Sequence, residues 1–137
     1  MFVFGKESEK QLLTCDRRIQ EIMRIGIVRS KVDFGINEGH RTTALQQKYF
    51  SEGKSEKDGI IKLSMHQYWP SVAFDIYAWV KGKRSYELYY MAYLAGLFNA
   101  IAKELGYDLT WGGNWDNDGE FITDQRFQDT CHHQLLF

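Results

Sequence analysis

The longest periodic run of apolar positions lies between Ser85 and Leu105, where Leu88, Met91, Ala95, Phe98, Ile101, Ala102 and Leu105 recur at helical spacing and Gly106 follows as a C-terminal cap. This segment is predicted as the core helix. An earlier helix is predicted from Glu9 to Ile25: Leu12, Leu13, Ile19, Ile22 and Met23 keep roughly helical spacing, Ser8-Glu9-Lys10-Gln11 has the form of a capping box, and Gly26 is the expected stop. Ile27 to Ile36 reads as a turn followed by a strand. Thr42 to Glu52 reads as a helix closed by Gly53, with the polar run Ser51 to Gly59 as an exposed loop. Strands are expected at Ala73 to Val80, separated from the core helix by the Lys81-Gly82-Lys83 turn, at Asp108 to Trp111 and at Cys131 to Phe137. Strands and helices mixed without a regular βαβ rhythm imply an α+β domain.

Composition adds bounds rather than identity. A chain of 137 residues with 44% hydrophobic and 26% charged positions is expected to form one domain spanning 1–137. A domain of this size buries enough surface to fold without a metal or disulfide, so a metal here needs a functional account. The 17 basic and 18 acidic side chains leave a formal charge of -1, with no broad cationic footprint for nucleic acid or anionic lipid. Cys15 and Cys131 are too few for a disulfide framework and are read as reduced thiols. The opening Met-Phe-Val-Phe breaks into charge after four residues, so no signal peptide is expected, and no apolar run approaches the ~20 residues of a membrane span.

The candidate chemistry sits on few residues. Of four histidines, His66 is followed after eight residues by Asp75, and His132 and His133 are adjacent near the end of the chain. Asp75 lies within the apolar strand Val72 to Tyr77, where an unpaired carboxylate is costly unless it meets a cation, a metal or several donors. A hydrolytic zinc ion needs three protein ligands and an open position for water, a count met by His66, Asp75 and His132. Asp129, three residues before His132, is then the candidate proton acceptor. On pattern alone, surface or core histidines explain the same residues.

Ser64-Met65-His66 followed by Ala73-Phe74-Asp75 resembles the Ser-x-His and Ala-x-Asp signature of the zinc peptidoglycan peptidases, the family of D-Ala-D-Ala carboxypeptidases and phage L-alanyl-D-glutamate endopeptidases. Asp129-Thr130-Cys131-His132 resembles that family's second signature. Glu38-Gly39-His40-Arg41-Thr42, Trp111-Gly112-Gly113-Asn114-Trp115 and the opening Phe4-Gly5-Lys6-Glu7-Ser8-Glu9-Lys10 are similar to further family segments, all in family order. The departures are eight residues rather than the usual six between His66 and Asp75, and Gln134 where a glutamate is common. Adjacent strand residues point to opposite faces, so only one of His132 and His133 can face a metal, and the three-residue step from Asp129 favours His132.

The resemblance implies an α+β fold of the hedgehog/DD-peptidase kind, a small antiparallel sheet bearing a zinc site and packed against helices. It implies zinc held by His66, Asp75 and His132, Asp129 shuttling the proton, and Arg41 holding a substrate carboxylate or stabilising the oxyanion. An ion pair between Arg41 and Glu38 is the structural alternative, and Ser64 is expected to orient the site rather than react. The implied substrate is bacterial peptidoglycan, with no nucleic-acid partner and no membrane insertion. The implied activity is that of a phage endolysin cutting L-Ala-D-Glu, made in the host cytoplasm, released through a membrane pore and acting as a monomer. A D-Ala-D-Ala carboxypeptidase and a non-catalytic zinc-containing wall-binding domain are the alternatives.

Two further patterns stand apart. Asn114, Asp116, Asp118 and Gly119 fit the first half of a calcium loop, although its twelfth position is Gln125 rather than glutamate. Tyr68, Trp69, Trp111 and Trp115 flank the motifs and could wall a groove, whereas Tyr86, Tyr89, Tyr90 and Tyr93 are expected on an exposed face of the long helix.

Overall fold

The computed structural model describes residues 1–120 and 129–136; Phe137, expected at the end of the last strand, lies outside them. The chain forms helices α1 (Lys6–Leu12), α2 (Arg17–Arg29), α3 (Thr43–Ser51) and α4 (Leu88–Leu105), and strands β1 (Phe34–Glu38), β2 (Ala73–Val80), β3 (Lys83–Ser85), β4 (Leu109–Trp111) and β5 (His132–Leu135). The strands make one antiparallel sheet ordered β1-β2-β5-β4, with β3 paired on β2.

Helix α4 follows its apolar stripe. Met91, Leu94, Ala95, Phe98, Ile101 and Ala102 are buried, Gly106 takes the left-handed cap at φ 81°, and Tyr86, Tyr89 and Tyr93 stay exposed. Phe98 is fully buried, with ring centroids 5.2 Å from Phe34 and 6.1 Å from Phe74. Truncating such a ring to alanine costs about 3–5 kcal/mol. Leu88 departs from the stripe and is 47% exposed.

The single helix expected from Glu9 to Ile25 is two, and the cause is tertiary. Asp16 donates its N–H to the Ser71 carbonyl at 2.8 Å and Ser71 donates to the Thr14 carbonyl at 2.9 Å, which draws the chain around Cys15 into a parallel bridge with Ser71. Asp16 then caps α2 by accepting the Arg18 N–H. No capping box forms at Ser8, which lies inside α1: its hydroxyl accepts the Ile36 N–H at 3.0 Å, and Gln11 Oε1 accepts the Gly39 N–H at 3.1 Å. Gly26 does not stop α2. It sits where the helix meets aromatic rings, and an added Cβ would lie 3.3 Å from Phe98 Cε1.

Helix α3 forms where one was expected, but Thr42 lies just outside it as the N-cap, its hydroxyl accepting the Leu45 N–H at 3.1 Å. The polar residues Lys83, Arg84 and Ser85 gave no sign of β3, which forms because Lys81 and Gly82 take positive φ and turn the chain back along β2.

The register of the sheet separates two faces. Asp75 stands opposite His132, while Phe74 and Trp111 both stand opposite His133. Alternation along each strand therefore sends Phe74, Trp111 and His133 into the core, and Asp75 and His132 out of the other face.

Candidate metal centre and its cavity

A row of polar side chains crosses the sheet: Glu38 on β1, Asp75 on β2 and His132 on β5. An irregularity in β1 between Ile36 and Glu38 brings Glu38 opposite Asp75, whereas unbroken pairing would have put it opposite Phe74. His66 reaches the row from a single 3-10 turn, Met65–Gln67. There the Ser64 hydroxyl accepts the His66 N–H at 3.2 Å and Gln67 Oε1 accepts the Ser64 N–H at 2.9 Å. Ser64 thus orients His66 through a capping box.

One atom each from His66, Asp75 and His132 lie within 4.8 Å of one another. His66 Nδ1 lies 2.7 Å from the Gly39 carbonyl, which can only accept, so Nδ1 carries the hydrogen and Nε2 presents a lone pair. His132 Nε2 donates to Gln134 Oε1 at 2.9 Å, leaving Nδ1 as its inward atom. Asp75 Oδ1 stands 3.3 Å from His66 Nε2 and 3.2 Å from His132 Nδ1, and the two nitrogens are 3.2 Å apart. Three acceptors converge, and only a cation reconciles them. A proton on His132 satisfies one contact, whereas a metal ion bound to three atoms satisfies all, with oxygens behind each imidazole as metal-binding histidines require.

The electrostatics agree. Burial alone would raise the Asp75 carboxyl, but His66 and His132 outweigh it and hold the group far below the usual carboxylate range. Burial alone would lower His132, but the Asp75 hydrogen bond and charge raise it.

Asp129 belongs to the same place. Its carboxylate, that of Asp75 and the Cys131 thiol form a second group within 4.8 Å. Cys131 donates its thiol hydrogen to Asp129 Oδ1 at 3.2 Å, and burial, followed by the nearby carboxylates, pushes the thiol up so that it stays protonated. Asp129 N–H bonds the Gly112 carbonyl at 3.2 Å, and Gly112 N–H bonds the His132 carbonyl at 2.9 Å. Any Cβ on Gly112 would run into the Asp129 carbonyl, so the close approach requires glycine.

His133 takes no part. It is fully buried, stacked on Phe74 with centroids 5.1 Å apart, and neither ring nitrogen has a hydrogen-bond partner among the described residues. Burial, and then the neighbouring His132, push its pKa down to about 3. His40 is half-buried against the Trp69 ring, away from the ligand set.

Arg41 forms the ion pair with Glu38 that was the structural alternative, and its guanidinium also stands beside Asp75. Its Nε pairs with Glu38, Nη1 donates to Gln46 Oε1 at 2.7 Å, and Nη2 reaches Asp75 Oδ2 at 3.7 Å, with the guanidinium over the Tyr49 ring. Sequence reasoning missed Gln46. It is fully buried, and a lone glutamine on a weakly amphipathic helix gives no signal of that.

These groups line a cavity of about 620 Å³ whose walls include Glu38, Arg41, Tyr49, Trp115 and Asp129. Trp115 packs on His132 with centroids 5.3 Å apart. Trp111 is core, while Tyr68 and Trp69 are exposed outside the cavity. The calcium pattern finds no support. Asp116 Oδ1 accepts the Asp118 N–H and Asp118 Oδ1 accepts the Glu120 N–H, so these carboxylates shape the turn, and neither Asp116 nor Asp118 joins a metal-binding group of His, Cys, Asp and Glu among the described residues. The twelfth loop position, Gln125, lies outside the described residues.

The sequence profile of the phage L-alanyl-D-glutamate peptidases matches residues 1–136. The L-alanyl-D-glutamate peptidase of Escherichia phage T5 is 32% identical over 122 residues, which is 88% of this chain and 86% of that protein. Among solved structures, the L-Ala D-Glu endopeptidase ChiX of Serratia marcescens superposes with a TM-score of 0.79 at 27% identity, covering 98% of this chain and 91% of its own.

Proposed function

The chain belongs to the phage L-alanyl-D-glutamate peptidase family, and on that premise we propose how its cavity performs the reaction. The protein is a peptidase of peptidoglycan stem peptides that hydrolyses the amide between L-alanine and D-glutamate. His66 Nε2, Asp75 Oδ1 and His132 Nδ1 would hold a zinc ion, and the convergence of these three acceptors is the observation that carries the reading. A zinc ion with three protein ligands supplies Lewis acidity, drawing the pKa of water toward neutrality and polarising the scissile carbonyl.

The chain's own residues do the rest. Asp129 takes the proton of the attacking water and returns it to the departing D-glutamate nitrogen. Its Oδ1 is held by the Cys131 thiol, so Oδ2 is the working atom. Arg41 has its Nε and Nη1 fixed by Glu38 and Gln46, and its Nη2 edge, beside Asp75, meets charge building on the carbonyl oxygen. Trp115 covers His132 and keeps water from that side of the site. The enzyme is made in the host cytoplasm, reaches the wall through a membrane pore and works as a monomer. No helix among the described residues is long and apolar enough to cross a membrane.

The test is digestion of purified peptidoglycan with products identified by mass. New N-terminal D-glutamate is expected. Released D-alanine would make the enzyme a carboxypeptidase instead, and no cleavage by fully zinc-loaded protein would overturn both.

A further inference from the structure

A glutamyl residue acylated on its amine keeps two carboxyl groups. Only one continues the peptide, so the other remains a free acid or is capped as an amide, a few bonds from the scissile nitrogen. The cavity must seat this group, and its walls differ in sign. Around the ligand set, Glu38, Asp75 and Asp129 outnumber Arg41, whose guanidinium already faces two of them. The segment from Lys54 to Lys57, which lines the same cavity, carries two lysines and one glutamate. Lys54 pairs with Glu52 at 3.2 Å, whereas Lys57 has no ion-pair partner among the described residues.

This segment is not a loosely hung loop. Gln46, fully buried, donates from Nε2 to Ser55 Oγ at 2.8 Å and to the Lys57 carbonyl at 2.6 Å, while its Oε1 accepts from Arg41. Ser55 Oγ in turn accepts the Lys57 N–H at 3.2 Å. One amide side chain thus ties the backbone of Lys57 to the arginine beside the ligand set. Holding that backbone in advance lowers the entropy cost of using its side chain in binding.

We propose that Lys57 is a specificity-determining residue that takes the free carboxylate of the D-glutamyl residue, with Gln46 as the positioning residue that fixes it relative to Arg41. The proposal rests on the peptidase reading above. It makes the enzyme selective for stem peptides whose glutamate is a free acid over those in which it is amidated.

The experiment uses zinc-loaded enzyme and two synthetic stem peptides that differ only in a carboxylate or a carboxamide at that position. Wild type is expected to prefer the acid. Lys57→Gln should lower kcat/KM on the acid about five-fold, the scale of a solvent-accessible charge pair, through KM and with the amide unaffected. Lys57→Arg should keep the preference, and higher salt should erode it in wild type but not in Lys57→Gln. Gln46→Met should weaken the preference with Lys57 intact. Equal loss on both peptides, or no change on either, overturns the proposal. A wild type that cleaves neither peptide refutes the peptidase reading itself.

Discussion

His66 Nε2 and His132 Nδ1 lie 3.2 Å apart, each turned inward because an oxygen holds the other nitrogen of its ring. Removing either imidazole leaves too few ligands to retain the metal. His66→Ala and His132→Ala are each expected to lose bound zinc and activity together, measured as metal content beside turnover. Wild-type stability should depend on free zinc, by about 2.7 kcal/mol at a hundred times the dissociation constant. A melting temperature unmoved by chelation would contradict this.

Gln134 stands behind His132 as a neutral acceptor. Gln134→Leu removes the oxygen that fixes the ring and should weaken zinc affinity about 10- to 100-fold, read by competition with a chromophoric chelator. Gln134→Glu keeps an acceptor there and should hold zinc at least as tightly as wild type. Equal loss in both variants would show that the contact does not orient the ring.

Asp129→Asn keeps the shape of the site and removes the proton acceptor. Zinc content should stay at the wild-type level while kcat falls by about 10²–10⁴. A variant with undiminished kcat would place proton transfer on another group.

His133 is stacked in the core with its pKa pushed down from 6.5 to about 3. The unfolded chain takes up a proton there below about pH 6.5 while the folded chain does not, so this position costs stability as pH falls toward 3, up to about 4 kcal/mol. His133→Phe keeps the stacking and removes the titration. In chelated protein its acid-unfolding midpoint should lie below that of wild type, and with zinc restored it should retain metal and activity. Loss of zinc from this variant would transfer the ligand role from His132 to His133.

Much of the fold was legible where the determinants are local. The stripe of α4 and its Gly106 cap, the extent of α3 to within a residue at each end and the apolar run of β2 lie within one element each, so local pattern alone reports them. Ser8 and Gln11 show the opposite case. They have the letters of a capping box, yet their side chains bond Ile36 and Gly39, 28 residues away in each case, while the same motif forms at Ser64 and Gln67. A pattern of four letters cannot say which partner is nearer in space.

The site divides in the same way. The sequence by itself determined that His132 and His133 face opposite sides of a strand, because side-chain alternation is a property of the extended backbone. It also offered the candidate ligands His66, Asp75 and His132 and the carboxylate Asp129 three residues upstream of the last. Only the tertiary structure decided which side is core, by pairing β5 between β2 and β4 so that His133 meets Phe74 and His132 meets Asp75. Only the tertiary structure brought buried Gln46 between Arg41 and Lys57, because a hydrogen bond across a cavity wall depends on how separate elements pack and leaves no periodicity in the chain.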